Sequence, residues 1–185
     1  YPPHTKHQLT WASETWPRWK EVKDKCQPEQ DTVWVSDYLV QDAVEWAQSH
    51  KGIVWYEHDA LGRKIAEVGK LPHYGPGREA SSKILVEKGD RSIVVSVKGH
   101  GTGKNLQMFH EQLIVNPPAG GDVWEQLLGR MHRQGQEADE VYAEVYRHAP
   151  EMIEPLESAR QEAIYVQEST GQKMKLLFAN YDLEV

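Results

Sequence analysis

The chain has 185 residues, 26 % of them charged and 39 % apolar, with a formal net charge of −7. This length buries a full core and makes one domain the default; the single Cys26 excludes an internal disulfide framework, and no run approaches the ~18 apolar residues of a membrane span or looks like a signal peptide. Residues 1–136 carry 17 Lys/Arg and 17 Asp/Glu while 137–185 carry 4 and 11, so an acidic tail follows a neutral body; that leaves phosphate contacts possible on one face but argues against tight non-specific DNA binding by the chain alone.

Residues 1–31 are polar and broken by Pro2, Pro3, Pro17 and Pro28, with Trp11, Trp16 and Trp19 interleaved. They read as a connector with some short structure, its tryptophans covering apolar surface. The opening Tyr1-Pro2-Pro3, without Met, reads as the start of an excised piece of a longer protein. His4, His7 and Cys26 lack a fourth ligand at a recognisable spacing, so no metal site is expected.

A main domain is predicted over 32–150. A helix starts from Ser36, with Leu39, Val40, Ala43, Trp46 and Ala47 on one stripe. Ile53–Tyr56 reads as a short buried strand, followed by a helix over about 60–68 and a short strand over 71–74. The turn Gly75-Pro76-Gly77 precedes a helical pattern over 81–88, and Gly89-Asp90 is a turn. Ile93–Val97 is the clearest strand, β-branched and bounded by turn residues. A glycine loop at 99–103, a short helix near 105–110 and a strand over 113–116 follow. Asp122 is expected to cap a helix carrying Val123, Leu127 and Leu128, and Val141–Tyr146 is a last strand. An acidic extension over 151–185 is expected to begin a helix with Pro155 at its first position and stop it at Gly171, with Leu156, Ala159, Ala163 and Val166 as its stripe. Met174, Leu176, Leu177 and Phe178 would cover a sheet edge. Strands alternating with helices imply a mostly parallel α/β sheet with helices on both faces.

Two stretches carry candidate chemistry. Val97-Lys98-Gly99-His100-Gly101-Thr102-Gly103-Lys104-Asn105 is a glycine-rich turn after a strand, a place where backbone N–H groups approach phosphate. It is not a phosphate-binding P-loop. Lys98 stands where that motif needs its leading glycine, and Asn105 where it needs the magnesium-binding Ser or Thr. The second stretch, Gln126-Leu127-Leu128-Gly129-Arg130-Met131-His132-Arg133-Gln134-Gly135-Gln136, sets two guanidiniums three residues apart near a helix end. Planar, always-charged forks suit the oxygens of a phosphoryl group. Asp139-Glu140 precedes a strand instead of ending one and reads as solvated charge.

The second stretch resembles motif VI of superfamily-two helicases, in the His-Arg-x-Gly-Gln form of the Snf-type DNA translocases. Gly101–Gln107 resembles motif V of the same family, Ile53–His58 resembles motif IV, and His73-Tyr74-Gly75 with Ile84 resembles the segment between them. Leu113–Pro118 with Trp124 and Gln126 is similar to the connecting strand and helix. The likeness spans about 35–147. Lys104 where leucine is usual, Asn116 where aspartate is, and an unmatched arginine before motif V point away from the chromatin-remodelling branch, toward a viral or bacterial relative.

The resemblance implies the C-terminal RecA-like lobe, a three-layer α/β fold, of an ATP-dependent helicase or translocase. Arg133, with Arg130, would be catalytic, reaching the γ-phosphate of ATP that an N-terminal RecA-like lobe of the same protein holds together with Mg²⁺. Gly103, Asn105, Gln126 and Gln136 would serve ATP binding and coupling, with Asn105 bridging motifs V and VI and His132 a packed or hydrogen-bonding coupling residue. His58, His100, Gly101 and Thr102 would touch nucleic acid, double-stranded DNA by the Snf-type pattern. The fragment alone would be inactive, since neither Walker motif is in it. The location implied is intracellular, cytoplasmic for a bacterium or its virus. Two alternatives compete with this reading: a non-catalytic nucleic-acid-binding or docking module on a motor-derived fold, and a self-contained nucleotide-binding enzyme built on the 99–105 loop.

Overall fold

The computed structural model describes residues 15–23, 25, 32–101 and 103–178. The chain divides into two units, Tyr1–Trp34 and Val35–Val185. In the first, helix α1 spans Thr15–Val22, with Trp19 47 % exposed, so that tryptophan is only half covered. His4, His7, Trp11 and Cys26 lie outside the described residues.

The second unit runs α2 (Tyr38–Ser49), β1 (Ile53–Tyr56), α3 (Asp59–Gly69), β2 (His73–Tyr74), α4 (Arg78–Lys83), β3 (Ile93–Ser96), α5 (Val97–His100), β4 (Glu111–Ile114), α6 (Gly121–Met131), β5 (Tyr142–Val145), α7 (Pro150–Thr170) and α8 (Lys175–Phe178). Its five strands form one sheet in the order β2-β3-β1-β4-β5, every neighbouring pair parallel. Ile53 pairs with Ile93 and Gln112, so β1 is the central strand.

The inner strands are apolar without alternation because both of their faces are covered. Ile53, Trp55, Ile93, Val95 and Ile114 pack on one face with Trp124, Leu127 and Met131 of α6, Leu156 and Ala159 of α7 and Leu176 of α8. Val54, Tyr56, Val94 and Leu113 pack on the other with Val40, Ala43, Trp46 and Ala47 of α2 and Ile65 of α3. Helices thus cover both faces, as expected. Buried polar groups fix the register: Ser92 Oγ donates to the His50 carbonyl (2.7 Å) and accepts from Gly52 N–H (3.1 Å), and Trp55 Nε1 donates to Gln112 Oε1 (2.9 Å).

Several elements depart from the sequence reading. The helix expected over 81–88 begins at Arg78, after Gly77 with φ 126°, and closes as a 3-10 turn over Ile84–Val86 that buries Ile84. No helix forms near 105–110. Leu106 and Phe109 are both buried through one turn, Phe109 N–H donating to the Leu106 carbonyl (3.1 Å). The glycine loop opens instead as the single helical turn α5, capped by Ser96 Oγ accepting from Gly99 N–H. Asp122 lies in the first turn of α6, whose N-cap is Gly120. Helix α7 starts at Pro150, five residues before Pro155: a proline at the first position costs nothing there, since that N–H has no helical partner. It ends at Gly171, φ 73°, as expected. Leu176 of α8 packs into the core with α6 and α7 instead of at a sheet edge, and Met174 beside it is buried. No helix among the described residues is long and apolar enough to cross a membrane.

Helix α3 lies on β1 because Gly62 has no side chain; a Cβ there would sit 2.3 Å from the Tyr56 ring, which is itself 1 % exposed. Gly62→Val should cost roughly 1–3 kcal/mol by overpacking, lowering Tm by about 2–4 °C per kcal/mol in a chain of this size. Thermal denaturation reads it; an unchanged Tm contradicts the close approach.

Candidate functional site

Helix α6 is held from outside at two points. It has no side-chain cap of its own, and Glu162 of α7 supplies one, accepting Gly121 N–H at 2.7 Å. A carboxylate there also complements the helix dipole. The crossing of the two helices is close: a Cβ on Gly121 would lie 3.0 Å from the Ala159 carbonyl and 3.2 Å from Ala163 N. Further along, Glu125 pairs with Lys175 of α8 and accepts its backbone N–H at 2.6 Å. Trp124, Leu127 and Met131 anchor the inner face of α6.

Arg130 sits on the last turn of this helix and is only 6 % exposed. Its Nε donates to the Gly101 carbonyl (3.0 Å), Nη1 to the Lys104 carbonyl (2.7 Å) and Nη2 to Gln126 Oε1 (2.8 Å). Burial, and then the neighbouring Arg133, lower its pKa from the ordinary guanidinium value. The group nonetheless stays charged, as arginine does in proteins. None of the ion pairs among the described residues involves Arg130 or Arg133. The buried cation is compensated by oriented dipoles alone.

Arg133 lies past the helix end and is exposed. The turn that carries it is tightly fixed. Gln136 N–H donates to the Arg133 carbonyl (3.1 Å), while Gln136 Nε2 donates to the carbonyls of Phe109 (2.8 Å) and Met131 (3.2 Å) and Oε1 accepts from Ala138 N–H (3.0 Å). Gly135 adopts φ 95°, and a Cβ there would meet Gln107 at 2.5 Å. One arginine is therefore interior and occupied, the other exposed on a stapled turn.

These positions revise several expectations. Arg130 directs its donors inward, to the carbonyls of Gly101 and Lys104 and to Gln126, instead of outward toward a phosphate. Arg130 also joins the two motifs, a bridge expected of Asn105, which is exposed and makes no side-chain hydrogen bond among the described residues. His132 is exposed instead of packed. His100 is fully buried and donates Nε2–H to the Gly75 carbonyl (2.8 Å), so it is not a surface contact for nucleic acid. Gln136 is a staple of the turn, and Gln126 orients Arg130. Gly103 is exposed with φ 73° and nothing within 4 Å of a Cβ placed there. Thr102 lies outside the described residues. His58 is exposed at the carboxyl end of β1, where its carbonyl receives Leu61 N–H and Gly62 N–H, and no hydrogen bond joins it to the arginine cluster. The sequence reading missed Glu162, 41 residues from the backbone it caps, and the Lys104 side chain, which donates to the Ser81 carbonyl at 3.2 Å.

No group of three or more His, Cys, Asp or Glu among the described residues is placed to hold a metal ion. No protein-family model and no curated protein matches the sequence. The crystal structure of the C-terminal part of the Fun30 ATPase domain aligns with 80 % of this chain and 52 % of that one, at 18 % identity and a TM-score of 0.51. The crystal structure of T4 UvsW aligns with 71 % of this chain and 32 % of that one, at 14 % identity and a TM-score of 0.48. The chain spans about half the length of the first and a third of the second. At 18 % identity the likeness is one of fold, and with the five-stranded parallel sheet it makes this a RecA-like α/β fold.

Burial is the main cause that lowers the pKa of His100 from its ordinary value; Lys104 adds to it and the Gly75 carbonyl opposes it. His73 is lowered by burial as well. With the folded pKa below the unfolded one, the unfolded chain binds more protons, so stability is complete above about pH 6.5 and falls as pH drops through the folded values. A Tm series from about pH 7.5 to about 5 should show this loss, and His100→Gln should reduce the slope. An identical slope in the variant contradicts a neutral His100.

Proposed function

We propose that this chain is the second motor lobe of an ATP-dependent nucleic-acid helicase or translocase, and that Arg133 is the finger it offers to the γ-phosphate. One observation carries the reading: Arg133 is exposed, makes no ion pair among the described residues and rides on a turn fixed by Gln136, beside the buried Arg130 cation. Two adjacent guanidiniums without a carboxylate favour an incoming anion. A fold shared with the C-terminal part of an ATPase domain supports the same reading.

On this proposal ATP and its Mg²⁺ are held mainly by an N-terminal RecA-like lobe of the same protein. Closing the gap between lobes brings Arg133 to the charge that develops on the transferring phosphoryl group. Such a finger contributes on the order of 10³–10⁵ in rate. Arg130 makes the 101–104 backbone and α6 move as one body, so a displacement at the nucleotide reaches the loop. Gly101, Thr102 and Gly103, with His58 at the end of β1, are the proposed contacts to a nucleic-acid backbone. Phosphate contacts carry no base information, and the partner proposed is double-stranded DNA. The acidic extension 151–185 belongs to the same lobe on this proposal, as the support of α6, and residues 1–31 are a connector. The protein would work inside the cell, in the cytoplasm where the host is bacterial.

The test joins this chain to its companion lobe and measures nucleic-acid-stimulated ATP hydrolysis. Arg133→Ala should lower kcat by roughly 10³-fold or more. Hydrolysis within threefold of the parent would remove the finger role.

A further inference from the structure

Besides the Arg130 link, the glycine-rich stretch carries two further tethers, from His100 and Lys104. Gly101 and Lys104, whose carbonyls receive Arg130, stand in a stretch with glycines at 101 and 103, and Gly103 has open space around it. Such a backbone does not hold its own shape. Two side chains anchor it to the β2–α4 segment. His100 Nε2–H donates to the Gly75 carbonyl at 2.8 Å, and Lys104 Nζ donates to the Ser81 carbonyl at 3.2 Å. Ser81 lies in the last turn of α4, where carbonyls lack helical partners and the helix dipole favours a cation.

Lys104 is therefore a joint of two chains of contact. Its carbonyl receives Arg130 at 2.7 Å while its ammonium caps α4. We propose that Lys104 is a positioning residue: a strut between α4 and Arg130 that sets the loop, and through α6 the Arg133 turn, in the geometry a phosphoryl transfer needs. The catalytic part of this rests on the motor-lobe reading. The strut itself does not.

Its removal has a distinct signature. Methionine keeps the apolar stem of lysine and all but its terminal atom, the donor, so Lys104→Met leaves the core intact and frees the end of α4. Lys104→Arg restores a donor. Hydrogen–deuterium exchange on the whole 185-residue chain should show peptides over 78–86 and 126–133 exchanging several-fold faster in Lys104→Met, with Lys104→Arg close to the parent. In the protein with its companion lobe, kcat should fall roughly tenfold in Lys104→Met while KM for ATP stays within about twofold, and Lys104→Arg should recover most of the loss.

The two levels separate the claims. If the parent protein hydrolyses no ATP, the motor reading fails, and the exchange data alone decide the strut. Unchanged exchange in both segments overturns the proposal, whatever the kinetics. Faster exchange with wild-type kcat in a protein that Arg133→Ala inactivates overturns the positioning role. An equal loss in Lys104→Arg and Lys104→Met overturns the donor as the operative group.

Discussion

A buried guanidinium without a carboxylate is the constraint on which this lobe is organised. Removing such a charge from water costs several kcal/mol even after relaxation, and hydrogen bonds to a charged group return about 1.5–3 kcal/mol each. Arg130 makes three, to Gly101, Lys104 and Gln126. It can stay interior only while the glycine-rich stretch keeps two carbonyls aimed at it. The stretch, in turn, is ordered by Arg130 from one side and by the His100 and Lys104 tethers from the other. Loop and helix end are thus one unit, and the unit ends in Arg133.

The rest of the fold holds that unit still. The inner strands of the parallel sheet, buried on both faces, include β3 and β4, which lead into the loop and into α6. The C-terminal extension, acidic and polar in composition, works as a brace. Gly121, Ala159 and Ala163 let α7 approach closely enough for Glu162 to cap α6, and α8 adds the Glu125–Lys175 pair. Much of the excess negative charge of the chain lies in this region, and one of its carboxylates, Glu162, caps the helix whose last turn carries Arg130.

The architecture was legible because its signals are local. Ile53–Tyr56 and Ile93–Ser96 are short β-branched or aromatic runs between turn residues, and the α2 stripe has helical period. The motif residues were legible as types and spacings. Their directions were not. Arg130 and Arg133 are three apart and look equivalent on a helix, yet the helix ends at Met131 and only one of them follows its inward face. His100 read as a loop residue because three glycines surround it, whereas one helical turn carries it into the interior beneath Gly75. Asn105 read as a bridge that a longer side chain from another element provides. Glu162 and the Lys104 tether join residues 41 and 23 positions apart, which no local pattern encodes. Helix ends misread for the same reason: Pro150 and Pro155 are equal as start signals until packing chooses.

A crystal structure of the joined lobes with ADP and a metal-fluoride mimic of the transferring phosphoryl group decides the division of labour between the two arginines. An Arg133 guanidinium nitrogen should stand about 3 Å from the fluoride, with Arg130 still donating to Gly101 and Lys104. Arg133 left in solvent while Arg130 abandons the loop to grip the mimic would contradict that division.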